Sequence, residues 1–247
     1  AWNESAPRGF RLLAGSEEIK QTYLPAIARG EAMASYCLSE PDAGSDAVSM
    51  RTRAVPDGDH FVLNGVKRWI TNAGVSEYYT VFAVTDPGAR AQGISAFVVE
   101  KADHGVGFGA LEKKLGIKGS PTREVYFDSV RIPASRMIGE PGSGFRTAMR
   151  TLDHTRVTIA AQAVGIAQGA LDIATGYVRE RRQFGRPIGE FQGLQWMLAD
   201  MQTQLTASRL MLYAAASSRG PGGSSFPDPT LAAQAKIFAS EAAIKIV

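Results

Sequence analysis

Apolar residues recur along this chain with two different periods. Between residues 35 and 138 they fall in short runs bounded by turn residues, and from Gly144 onward they fall at three- and four-residue steps. The first pattern predicts strands and the second helices. Ahead of both, Gly15-Ser16-Glu17-Glu18 offers a cap followed by early carboxylates, which suit a helix N-terminus. Tyr23, Leu24, Ile27 and Ala28 then give an apolar face, and Pro25 is expected to divide the segment.

In the middle region, residues 48–54 and 61–63 flank the turn signal Pro56-Asp57-Gly58-Asp59. Residues 78–84 and 94–99 are rich in β-branched and aromatic side chains, and Thr85-Asp86-Pro87-Gly88 opens a loop between them. Two further short strands are expected at 125–127 and 130–132, ended by Pro133. Many short strands at close spacing predict a compact β-barrel or sandwich. After Gly144, the residues Met149, Leu152, Arg156, Ile159, Ala163, Ile166, Ala170, Ala174 and Tyr177 trace one long amphipathic helix. A second is predicted over 192–216, with Leu194, Leu198, Met201, Leu205 and Leu212 on one face. A Gly/Ser/Pro loop follows over 217–226. Asp228-Pro229 then reads as an N-cap with proline at the first helical position, opening a third helix that runs to Val247 with no stop signal.

Composition changes this picture little. The 247 residues are 45% hydrophobic and 21% charged, a globular balance with room for two to three packed units. A net charge of +3 demands neither a nucleic acid nor a membrane partner. The densest basic run, 179–186, reads as a solvated helix end, and its arginines are not interleaved with an aromatic platform for bases. Cys37 is the only cysteine, which rules out an intrachain disulfide and points to a reducing compartment and a small buried thiol. No uninterrupted apolar run reaches the roughly 18 residues of a membrane span. Residues 1–9 are polar without the apolar core of a signal peptide, so a cytoplasmic protein is the default expectation. No metal site is expected.

Three groups of residues carry candidate chemistry. In the run Tyr36-Cys37-Leu38-Ser39-Glu40-Pro41-Asp42-Ala43-Gly44-Ser45-Asp46, hydroxyls at Ser39 and Ser45 can bond a ligand edge, and Gly44 admits close approach to the backbone. By itself this is a polar loop after a strand. Trp69-Ile70-Thr71-Asn72 follows, where a tryptophan late in a strand is ordinarily core. Arg181-Arg182-Gln183-Phe184-Gly185-Arg186 comes last, with Gln192 beyond it; a guanidinium fork at Arg181 matches phosphate oxygens. Asp153 and Arg156 share a helix face and read equally as an ordinary ion pair. Gly142-Ser143-Gly144 begins like a dinucleotide fingerprint, but position 147 is threonine and no βαβ pattern surrounds it, so it reads as a hinge.

Taken in order, these blocks resemble the acyl-CoA dehydrogenase family over residues 24–247. The resemblance implies an α+β multi-domain fold: the end of an N-terminal helical domain (1–34), a central β domain (35–138) and an incomplete C-terminal antiparallel helical bundle (139–247), a chain cut at both ends. It implies FAD as cofactor, with Tyr36, Leu38, Ser39, Gly44, Ser45, Trp69, Ile70 and Thr71 touching it, and Arg181, Phe184 and Gln192 touching the FAD of a neighbouring subunit in a homotetramer. Ser45, Asp153 and Arg156 would face the acyl-CoA substrate. The implied reaction removes a proton from the α carbon and passes a β-hydride to the flavin, with an electron-transfer flavoprotein as acceptor. Its base is a glutamate that most members carry near the C-terminus, beyond the position matching Val247. Some carry it at the position matching Thr155, whose hydroxyl is no base. The alternatives are a same-fold oxidase, nitroalkane oxidase or flavin monooxygenase using oxygen, or a non-catalytic binding protein.

Overall fold

A computed structural model of the chain describes residues 14–220, 222 and 226–247. The polar opening and part of the 217–226 loop lie outside the described residues. Two compact units divide at Thr151/Leu152.

The first unit opens with α1 (Glu17–Ala28), capped as the sequence predicts: Ser16 Oγ accepts from the Ile19 amide at 3.2 Å. Pro25 does not divide it. The helix runs unbroken through the proline, and the Arg29 amide still bonds the Pro25 carbonyl at 3.0 Å. Ile19, Tyr23 and Ile27 form its buried face, and the Tyr23 hydroxyl donates to Glu100 at 2.9 Å.

Eight strands follow, in a single mixed sheet: β1 (Ala34–Cys37), β2 (Arg53–Asp57), β3 (His60–Thr71), β4 (Tyr78–Val84), β5 (Ile94–Glu100), β6 (Val106–Phe108), β7 (Thr122–Pro133) and β8 (Met137–Ile138). Their order is β6-β7-β3-β2-β4-β5-β8, with β1 parallel to β4. The sheet curls on itself. Phe61 of β3 meets Phe97 of β5 at 5.1 Å between ring centroids, and Tyr79 of β4 meets Phe108 of β6 at 5.6 Å, although neither pair lies on adjacent strands. One core therefore collects Cys37, Leu63, Ile70, Tyr79, Phe97, Val125 and Ile132. Each large apolar side chain so buried contributes about 1.5–3 kcal/mol.

Several boundaries differ from the sequence pattern. Residues 47–49 form a 3-10 turn, and β2 starts only at Arg53. Pro56 and Asp57 belong to the strand, where Pro56 stands opposite Phe61. The two expected strands near 126 and 131 are one, β7, because its long antiparallel pairing with β3 carries it through Asp128 and Ser129. The strands β6 and β8 escape the pattern because they are only three and two residues long.

From Gly144 a 37-residue helix, α2 (Gly144–Glu180), runs across the division between the units. In the second unit it packs with α3 (Gln192–Ser217) and α4 (Pro229–Ile246), around Ala160, Val164, Leu171, Leu205, Leu212, Ala235 and Ala239. Arg209 bonds Gln168 at 2.6 Å between the first two of these helices. Asp228 caps α4, accepting from the Leu231 amide at 2.9 Å with Pro229 at the first position. One correction concerns membranes: α2 holds an 18-residue window of mean hydropathy 1.4, long and apolar enough to cross a bilayer by length and composition. Uninterrupted runs miss it because alanine, glycine and isoleucine alternate there with glutamine and threonine. Its stripe Ala160, Ala163, Val164, Ala167 and Leu171 is nevertheless core of the helical unit.

Candidate functional site

The run 36–46 leaves β1 and becomes a loop that ends at β2. Tyr36 packs edge-on against Phe82 with ring centroids 5.0 Å apart, and burial pushes its hydroxyl well above the ordinary phenol range, so it stays neutral. Leu38 is buried, Ser39 half-buried, and Gly44 and Ser45 are exposed. A Cβ added at Gly44 would meet no described atom within 4 Å, so the protein's own packing does not require glycine there. Cys37 is a buried core thiol, as expected.

Beneath the loop lies a buried ion pair. Lys67 Nζ donates to Glu40 Oε1 at 2.8 Å and to the Leu38 carbonyl at 3.1 Å. Glu40 also accepts from the Arg51 amide at 2.6 Å and the Thr52 amide at 3.0 Å. Burial alone would raise the Glu40 carboxyl, but the Lys67 charge and the Arg51 amide outweigh it and hold the group below its ordinary value. By sequence Glu40 is a loop residue, and no motif marks Lys67. The available signal was register: Leu63 and Ile70 point inward from β3, and a lysine between them at a core step asks for a buried partner.

The second motif sits on a β-bulge. The β3–β7 pairing skips one residue between Lys67 and Ile70, and Trp69 inside that bulge takes φ 61°. Its indole is 57% exposed, with the Arg68 guanidinium 4.8 Å from its centroid. Trp69 is thus not a core residue. Ile70, in contrast, is core, so only its backbone faces outward chemistry. Thr71 is half-buried and its carbonyl accepts from Ser35 Oγ at 2.7 Å.

The remaining candidates belong to the second unit. Arg181 follows the last residue of α2 and is exposed. The basic run is not a helix end: only Arg179 lies in the helix's last turn, and Arg182 and Arg186 stand on a hairpin of β9 (Arg182–Gln183) and β10 (Arg186–Pro187). Its tip is Phe184-Gly185, at φ 52° and 78°, the all-positive geometry of a type I′ turn. The Phe184 ring is 91% exposed and meets only the edge of Phe191, at 6.0 Å, among the described aromatics. Gln192 is exposed at the first position of α3. Asp153 and Arg156 pair with each other along α2. Thr155 Oγ1 donates to the Leu152 carbonyl at 3.1 Å.

Bulky residues at positive φ cost on the order of 1–3 kcal/mol each, and proteins keep such strain chiefly where function uses it. Here Trp69 and Phe184 are both strained and both exposed. Two features of the first unit's surface are open to a ligand: the exposed Trp69 indole and the unobstructed backbone at Gly44.

The family described as acyl-CoA dehydrogenase, middle domain, matches residues 35–130, and that described as acyl-CoA dehydrogenase, C-terminal domain, matches residues 142–247. This chain belongs to the acyl-CoA dehydrogenase family. The family's members are FAD-dependent oxidoreductases, and the features just described fit that cofactor. The chain is 59% identical over 237 residues to the probable acyl-CoA dehydrogenase FadE25 of Mycobacterium tuberculosis, covering 95% of this chain and 60% of that protein. It superposes with TM-score 0.94 and 44% identity on a chain of the electron transferring flavoprotein structure of Acidaminococcus fermentans, covering 99% of this chain and 63% of that one. It also matches a glutaryl-CoA dehydrogenase of Mycobacterium smegmatis in complex with FADH2, with TM-score 0.90 and 32% identity over 98% of this chain and 60% of that one. The chain thus spans about 60% of the length of the curated relatives it matches.

Proposed function

We propose that this chain handles the cofactor and substrate in an enzyme that dehydrogenates an acyl-CoA thioester to the trans-2-enoyl-CoA and passes the electrons to an electron-transfer flavoprotein. The observation that carries this reading is the strained, exposed Trp69 on a strand whose preceding residue, Arg68, bonds the Ser39 carbonyl of the loop at 2.9 Å, in a chain of this family. FAD supplies the two-electron acceptor for the β-hydride. Ser39, Gly44 and Ser45 present hydroxyls and unobstructed backbone toward it. Trp69 covers an apolar face. The Thr71 hydroxyl and backbone stabilise negative charge that grows at the ring edge. Leu38 and Ile70 serve through their backbones, since their side chains are buried. Tyr36 supports the start of the loop from β1.

In the second unit, Arg181, Phe184 and Gln192 are all exposed, and their chemistry suits the diphosphate and apolar parts of a neighbouring subunit's FAD, within a homotetramer. Apolar side chains that face outward from these helices, among them Ile173, Trp196, Leu210 and Ile244, suit burial against other helices or subunits. Asp153 and Arg156 serve the CoA moiety. No carboxylate of this chain is assigned as the base. Thr155 is committed to a backbone carbonyl and is not basic, so it is not the base.

The test is an anaerobic titration of the flavin-loaded full-length protein with short, medium and branched acyl-CoAs, followed by visible flavin absorbance. Bleaching by at least one thioester, reversed by an electron-transfer flavoprotein faster than by oxygen, is the expected result. Reoxidation by oxygen alone would replace the acceptor with an oxidase. A flavin that no acyl-CoA bleaches overturns the dehydrogenase reading.

A further inference from the structure

Lys67 is an unexpected occupant of the β core. Its side chain has no exposure to solvent, and it stands on β3 at the step before the bulge. A leucine or methionine would pack there without the large cost of stripping water from an ammonium. The contacts of that ammonium are confined to one segment. Its donors reach the Leu38 carbonyl at 3.1 Å, Glu40 Oε1 at 2.8 Å and Met50 Sδ at 3.8 Å. Glu40 in turn accepts from the Arg51 amide at 2.6 Å and the Thr52 amide at 3.0 Å. Both ends of the segment 38–52 therefore converge on one ion pair. The residues between them, including exposed Gly44 and Ser45, are held by their two ends.

The same strand grips the loop a second time. The Arg68 amide donates to the Ser39 carbonyl at 2.9 Å, and the next residue is the strained Trp69. One tripeptide, Lys67-Arg68-Trp69, thus fastens the first motif and presents the second.

We propose that Lys67, with Glu40 as its partner, is a positioning residue that sets the shape of the 38–52 loop for its cofactor and locks that loop in register with the Trp69 bulge. This rests on the reading of the loop as an FAD-holding element. A group that only stabilised the fold would be replaceable by any well-packed neutral pair. A positioning group would not be, because the Leu38 carbonyl and the far end of the loop would lose their common anchor.

Three full-length variants test this: Lys67→Met, Glu40→Gln, and the two together. The readouts are hydrogen exchange at the Arg51 and Thr52 amides in the apoprotein, the thermal midpoint, and FAD affinity from the change in flavin fluorescence on binding. In Lys67→Met, exchange at those two amides is expected to speed up about tenfold or more and FAD to bind about tenfold or more weakly. The double variant removes the unpaired buried charge and is expected to recover most of the thermal midpoint. Its FAD affinity is expected to stay about tenfold weak, since nothing restores the anchor. Recovery of FAD affinity to within about twofold of wild type in the double variant overturns the proposal, because Lys67 would then only neutralise Glu40. Unchanged exchange at residues 51 and 52 in Lys67→Met overturns it equally. If Lys67→Met fails to fold, the double variant and Glu40→Gln carry the same comparison. Failure of the underlying reading looks different: wild-type protein would not bind FAD at all, while the exchange measurement would still report on the loop.

Discussion

At the scale of single residues, Arg181 makes the sharpest contrast with Lys67. It is exposed and makes no ion pair among the described residues, so its guanidinium is available to a diphosphate. A charge-assisted hydrogen bond of this kind contributes about 1.5–3 kcal/mol. Arg181→Ala is therefore expected to weaken FAD binding about 10- to 100-fold while acyl-CoA affinity changes no more than about threefold, read by ultrafiltration and by substrate titration. Unchanged flavin occupancy would sink the assignment. At this scale the motifs that hold Ser39, Gly44, Trp69, Arg181 and Phe184 are legible in the sequence as ordered runs. The anchoring pair is not, since Glu40 and Lys67 are 27 positions apart and meet only when β1 and β3 pack. Nor is the split between neighbours Trp69 and Ile70, one exposed and one core, which depends on a bulge that no side-chain pattern announces.

At the scale of elements, local chemistry decides the ends of helices and long-range pairing decides the ends of strands. Ser16 and Asp228 cap their helices as the sequence indicates, because capping involves residues three apart. Residues 125–132, in contrast, read as two strands until their partner β3 is known. Pro25 shows the opposite error: a proline late in α1 loses one backbone bond, and burial of Ile19, Tyr23 and Ile27 keeps the helix whole. Asp228→Ala removes the acceptor for the Leu231 amide and should destabilise the helical unit by about 1 kcal/mol, visible as a lower thermal midpoint with FAD affinity unchanged. An unchanged midpoint would mean that Pro229 alone starts α4.

For the whole molecule, the pH range of flavin retention follows from the Glu40 carboxyl. Its folded value lies below the ordinary 4.5, so its stabilising contribution is complete above that value and is lost as pH falls through the lower, folded one. Flavin release on acidification is expected to steepen below about pH 4.5 in wild type and to lose that step in Glu40→Gln, followed by flavin fluorescence across an acid titration. Identical acid profiles would show that other carboxylates govern release.

The bulge that lifts Trp69 out of the β core has an optical consequence. Among the described residues the tryptophans are Trp69 and Trp196, and both are exposed. An indole in water emits toward longer wavelengths, and an oxidised flavin absorbs in that region and quenches nearby donors. If Trp69 lies against the flavin as proposed, the strain that aims this side chain outward gives the protein a reporter of its own cofactor loading.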